Sequence, residues 1–130
     1  MTANSFAHHS EIPFSDRRDY AILLNDWPYA FTPGLTHLLV WTRTPIAVDM
    51  ERDGDVTPQS KVLIEEFVDQ MFVRKLAEYS GITAGEARKR VLWFKNWVGL
   101  QSVRGVDHVH VIVRDAPQKL VDQWCERRDL

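Results

Sequence analysis

Asn96-Trp97-Val98-Gly99-Leu100-Gln101-Ser102-Val103-Arg104-Gly105-Val106-Asp107-His108-Val109-His110-Val111-Ile112-Val113-Arg114 is the stretch whose reading decides the fold. Its second half is a run of valine and isoleucine interrupted by two histidines, which reads as a buried β-strand over residues 106–113. Side chains on a strand alternate between its faces, so His108, His110 and Arg114 point one way, with Ile112 between them, and Asp107 and Asp115 point the other. Burying an imidazole costs free energy unless it finds a partner. Two such costs on one face mark a site rather than packing.

Working outward, residues 91–97 form a partner strand, joined to the first by a loop over residues 99–105. Asn96 sits among aromatic residues, where a lone amide is unfavourable, so it is assigned to the site and the alternating Lys95 is not. Gln101 and Ser102 in the loop supply an amide and a hydroxyl beside the histidines. Upstream, Tyr20–Leu24 and Leu35–Thr42 read as two further strands. Asn25, Asp26, Trp27 and Pro28 break the chain after the first of these, and Thr32-Pro33-Gly34 is a turn signal before the second. His37 lies on that second strand, and the acidic stretch 49–55 around Gly54 reads as a loop.

Thr57-Pro58 opens the clearest helix, with threonine as N-cap and proline at the first helical position. Its apolar side carries Leu63, Phe67 and Met71 at fourfold spacing, with Ile64, Val68 and Phe72 beside them. Glu65, Glu66, Asp69 and Gln70 are expected to face water, and Gly81 ends the helix. Thr83-Ala84-Gly85-Glu86 is a capping box for a short helix. Residues 117–127 form a closing helix with Leu120, Val121 and Trp124 inward. Strand, strand, helix, helix, strand, strand, helix indicates an α+β domain with a mainly antiparallel sheet and helices packed on it. Residues 1–14 read as a flexible arm, with residues 15–130 as a single domain.

A chain of 130 residues, 45% hydrophobic and 26% charged, can build a real core. The formal net charge of −2 argues against general nucleic-acid binding. The single cysteine, Cys125, excludes an internal disulfide and a cysteine-based zinc site. There is no apolar run long enough for a membrane span and no signal-peptide pattern at the start, so a cytoplasmic protein is expected. Trp27, Trp41, Trp93 and Trp97 flank the polar motifs and suggest pocket walls as well as core.

Three strings carry a family resemblance: Leu24-Asn25-Asp26-Trp27-Pro28-Tyr29, Pro33-Gly34-Leu35-Thr36-His37-Leu38-Leu39-Val40-Trp41-Thr42-Arg43-Thr44-Pro45-Ile46, and Trp93-Phe94-Lys95-Asn96-Trp97-Val98-Gly99-Leu100-Gln101-Ser102-Val103 followed by His108-Val109-His110-Val111. They resemble the fungal N-acetylglucosamine-induced protein family, whose shared domain has no agreed biochemical role. More distantly, the order Pro33-Gly34, His37, Asn96, Gly99, Gln101-Ser102-Val103 and His108-Val109-His110-Val111-Ile112 is similar to the histidine-triad and galactose-1-phosphate uridylyltransferase superfamily. That likeness implies a histidine-triad-like fold, His108 as nucleophile and His110 as its support, a covalent nucleotidyl-imidazole intermediate with no metal or cofactor, and a homodimer. The chain departs from the triad pattern in having Val106 where the first histidine would stand.

The expected function is therefore a small-molecule enzyme with a His-x-His site that transfers or hydrolyses a phosphoryl or nucleotidyl group. Asn25, Asp26, Trp27, His37, Asn96, Gln101, Ser102 and Arg114 would hold the nucleotide-like substrate. One alternative is a metal-independent acid–base enzyme of secondary metabolism, such as an isomerase, cyclase or dehydratase. Another is a non-catalytic nucleotide or sugar-nucleotide binding module. A His-x-His metal clip completed by His37 is a further rival, opposed by Arg114 on the same face.

Overall fold

The structure, a computed structural model, describes residues 9–24, 34–44, 46–49, 55–95 and 107–125. Four antiparallel strands form the main sheet: β1 (Tyr20–Leu24), β2 (Leu35–Thr42), β5 (Val91–Phe94) and β6 (Asp107–Arg114), in the spatial order β1-β2-β6-β5. The two hairpins expected from the sequence are thus joined by a long-range pairing that puts the histidine strand beside β2. Its register sets Trp41 opposite His108, Leu39 opposite His110 and His37 opposite Ile112. On the other side of β6, Phe94 lies opposite His110 and Leu92 opposite Ile112.

Alternation gives the sheet two different faces. Tyr20, Ile22, Leu38, Val40, Val109, Val111 and Val113 are buried on one face against the helices. The opposite face carries Ala21 and Leu23 from β1, His37, Leu39 and Trp41 from β2, His108, His110 and Ile112 from β6, and Leu92 and Phe94 from β5. Every described helix lies on the first face. The functional candidates lie on the second.

The expected long helix is three pieces: α1 (Pro58–Val68), a π-helical turn over Asp69–Val73, and α2 (Arg74–Ser80). Thr57 caps its start by accepting from the Ser60 N–H, and Gly81 ends it in the left-handed region at φ 66°. The widened turn corrects the uninterrupted fourfold reading. The Arg74 N–H bonds five residues back to the Asp69 carbonyl, and Trp124 of the closing helix α4 (Gln118–Trp124) donates its indole N–H to the Met71 carbonyl at 2.8 Å. Asp69, expected in water, instead accepts from Arg74 at 2.9 Å and from Arg88 at 2.7 Å, tying the turn to the short helix α3 (Ala84–Arg88).

Two smaller points refine the sequence reading. The ends of the acidic loop pair as short strands, β3 (Val48–Asp49) with β4 (Asp55–Val56). The stretch 9–14 is fastened to the domain: the fully buried carboxylate of Asp19 accepts from the backbone N–H of His9 at 2.7 Å and of Ser10 at 2.8 Å. Phe14 stacks on Phe67 with ring centres 4.4 Å apart. Gly34, just before β2, adopts φ 95°, and a Cβ there would meet the Asp115 carboxylate, so the turn into β2 requires glycine.

Candidate active site on the histidine face of the sheet

β2 and β6 bring three imidazoles together. His37 Nε2 and His110 Nδ1 share a hydrogen bond of 2.9 Å. The His108 ring lies edge-on to His110, with centres 5.1 Å apart. Phe94 stacks flat on His110, at 4.5 Å and an interplanar angle of 3°, and Trp41 lies against His108 at 4.6 Å. His37 is buried, whereas His108 and His110 are half-buried.

A hydrogen bond between two imidazole nitrogens needs one ring to donate and the other to accept, so it couples their tautomers. If His110 donates from Nδ1, its proton is fixed there and its Nε2 carries the lone pair. Placing a proton on both facing nitrogens would set two N–H groups against each other. The surroundings oppose such charging. Burial, and then the charges of His108 and His37, push the His110 pKa down to about 4. Burial also lowers His37. Burial and then the Lys95 cation lower His108, with Asp107 opposing them. The cluster is therefore a set of neutral imidazoles at neutral pH.

A stability test follows. The unfolded chain binds protons at His110 near the ordinary histidine pKa of about 6.5. The folded chain binds one there only near 4. Between these values the unfolded state holds more protons, so stability rises with pH in that window. The contribution is fully present above about 6.5 and is lost as the pH falls through about 4. Urea-unfolding midpoints should decline across this range, and His110→Phe, which keeps the stack on Phe94, should flatten the decline relative to the parent. Equal slopes in the two proteins would show that His110 is not held neutral by the fold.

Not all the residues expected at the site converge. Arg114 shares the histidine face but is exposed and lies four residues beyond His110, about 13 Å along an extended strand. Asn25, Asp26, Trp27, Asn96, Gln101 and Ser102, together with Val106, lie outside the described residues. Asp107 does point away from the histidines, as alternation required. Among the described residues no group of three or more His, Cys, Asp or Glu is arranged to hold a metal ion.

Two participants escaped the sequence reading. Phe94 reads as one more strand aromatic until β5 is paired with β6. Lys95, left out of the site, has a side chain only 3% exposed and forms an ion pair with Asp107 at 3.1 Å. Trp41, expected among the pocket walls, lies against His108, a contact made by the long-range register of β2 and β6.

The fold and the site together define an α+β domain whose sheet packs one face against helices and on the other gathers neutral histidines between aromatic rings. The chain belongs to the family described as protein of unknown function (DUF3605), whose model matches residues 2–114. It is 35% identical over 120 residues to N-acetylglucosamine-induced protein 1 of Candida albicans, covering 92% of this chain and 44% of that protein. It is 33% identical over 101 residues to an uncharacterised protein of Saccharomyces cerevisiae, covering 77% of this chain and 46% of that protein. The chain thus spans less than half the length of these curated relatives. The crystal structure of HTC1 is similar, with a TM-score of 0.51 and 27% identity over 85% of this chain and 60% of that one. No helix among the described residues is long and apolar enough to cross a membrane.

Proposed function

We propose that this domain is a small-molecule enzyme that works through the imidazoles of the histidine face, transferring or hydrolysing a phosphoryl or nucleotidyl group with His108 as nucleophile. The observation that carries this reading is the gathering of His37, His108 and His110 on one face, with His37 and His110 hydrogen-bonded at 2.9 Å and the cluster held neutral. Only the neutral ring can attack, because protonation consumes the lone pair. In this scheme a His108 nitrogen attacks phosphorus, an N–P bond forms and the P–O bond to the leaving group breaks. Water then attacks phosphorus, the N–P bond breaks, and the proton of water passes to solvent as neutral imidazole returns. A neutral imidazole is a poor acid, so the leaving group departs with its electron pair as a stable anion. That favours a phosphate or pyrophosphate leaving group over an amine or alkoxide. Trp41 and Phe94 offer surfaces on which a base could stack. Such a domain would be cytoplasmic, with a histidine-triad-like fold and a possible homodimeric assembly.

One observation favours a second reading. Among the described residues, those beside the histidines on this face are apolar: Leu39, Trp41, Phe94 and Ile112. Such walls suit metal-independent acid–base chemistry on an organic metabolite. A binding module for a nucleotide or sugar nucleotide would use the same face without turnover.

Thermal-shift screening of nucleotides, sugar phosphates and aromatic metabolites separates these, since any ligand of the folded state raises its melting temperature. The expected result is a shift with nucleotides, followed by a covalent mass increase on His108 after acid-free trapping. A shift with aromatic metabolites alone would replace the first reading by the second.

A further inference from the structure

The Lys95–Asp107 ion pair stands directly behind the site, and none of the chemistry above uses it. Asp107 is the residue before His108, and its side chain leaves the opposite side of β6. Its Oδ1 meets Lys95 Nζ at 3.1 Å, and its Oδ2 accepts the backbone N–H of Ile46 at 2.9 Å. Lys95 is the first residue past β5, and Ile46 follows the turn that leaves β2. One carboxylate therefore joins the ends of three strands at the point where the histidine run begins. The lysine side chain is 3% exposed and the aspartate 14%, so little water screens either charge.

A buried ion pair is a poor source of net stability, because desolvating the two ions offsets most of their attraction. Two apolar residues would fasten the same strand ends at least as well. What an apolar pair cannot supply is a fixed charge pattern directly behind the strand that carries His108. We propose that Lys95 and Asp107 are positioning residues for His108, clamping together the strand ends from which its side chain projects. On its own face His108 meets the described groups Trp41 from β2 and His110 from its own strand, and behind the strand stands the Lys95–Asp107 pair. Of these, Lys95 and Asp107 carry full charges. They act on the ring in opposite senses, the cation opposing its protonation and the carboxylate favouring it. As a statement about reactivity this rests on the reading of His108 as the attacking group. As a statement about the ring it does not.

The test is an NMR pH titration of the histidine ring Cε1–Hε1 signals of the whole chain, with His108 assigned by its loss in His108→Asn. Lys95→Met should raise the His108 midpoint, and Asp107→Asn, which keeps an oxygen to accept from Ile46, should lower it. A clamp of purely structural function would disturb the ring in both variants without this opposition of sign. Removing one partner of a buried pair can unfold a small domain, so the double variant Lys95→Met/Asp107→Asn serves as the second measurement. It removes both members of the pair together, and its midpoint should lie between those of the two single variants. Midpoints unmoved, shifted in the same direction in both single variants, or lying outside the range of the single variants in the double variant would overturn the proposal. Shifts of the expected sign with nucleotide turnover unchanged would leave the clamp standing and remove His108 from the reaction.

Discussion

His108→Asn should abolish turnover, lowering kcat by at least the roughly 10²–10⁴-fold that a single imidazole contributes as a proton carrier, and by more if it forms a bond. Asparagine keeps a polar group of similar reach but has no lone-pair nitrogen to attack phosphorus. His110→Asn should cost less and act differently. His110 holds a hydrogen bond to His37 and a flat stack on Phe94, so its loss frees the neighbouring rings and the tautomer they share. His37→Gln should weaken the same unit from its far end. If His37 and His110 work as a pair, the double variant His37→Gln/His110→Asn should be no slower than the worse single variant, because groups acting as a unit are strongly non-additive. The measurement is kcat and KM on the nucleotide returned by the thermal-shift screen. Full turnover by His108→Asn would end both catalytic readings and leave the binding module.

Alternation alone placed His108, His110 and Arg114 on one face, and that placement holds in the register of β6 with its neighbours. Alternation carries no distance, however. It put Arg114 on the histidine face, and the extended strand sets its backbone about 13 Å from that of His110. The aromatic contacts and the His37–His110 bond depend on which strands are neighbours. β2 and β6 are separated by more than 60 residues of chain, so no local pattern could pair them. For Lys95 the period-two rule gave the right direction, away from the histidines, but not what the side chain meets there. On a sheet with helices on its other face, pointing away from the site means pointing inward, and there the lysine needed a counter-ion. Asp107 supplies it. The helical signals were the most local and transferred best: Thr57 and Thr83 cap as their spacing requires, and Gly81 closes α2. The π-turn has no such signature. An extra residue in a helical turn shifts the apolar stripe by an amount that one further turn of spacing can hide, so Asp69–Val73 read as more of the same helix.

That turn carries the largest expected effect on stability. Phe72 sits within it and is fully buried, its ring 4.8 Å from Trp124 and 6.0 Å from Phe67. It joins the helix layer to the closing helix at the place where the backbone ladder is widened and Trp124 donates to the Met71 carbonyl. Phe72→Ala removes the ring and leaves a cavity that the sheet beneath cannot fill. Buried phenylalanine truncations cost about 3–5 kcal/mol. Set against a total stability of about 5–15 kcal/mol, that is enough to lower the melting temperature by roughly 10–20 °C. Val62 on the outer side of α1 is 53% exposed and provides the contrast, since Val62→Ala should change stability by no more than about 0.5 kcal/mol. The comparison also tests the turn itself. With the ring gone, the widened backbone loses the packing that balances its irregular hydrogen bonding, so hydrogen exchange should accelerate across 69–73 more than across the flanking helices. If Phe72→Ala melts with Val62→Ala, and the amides of the turn exchange no faster, then the π-turn is held by its own hydrogen bonds and by the Asp69–Arg88 link rather than by the core.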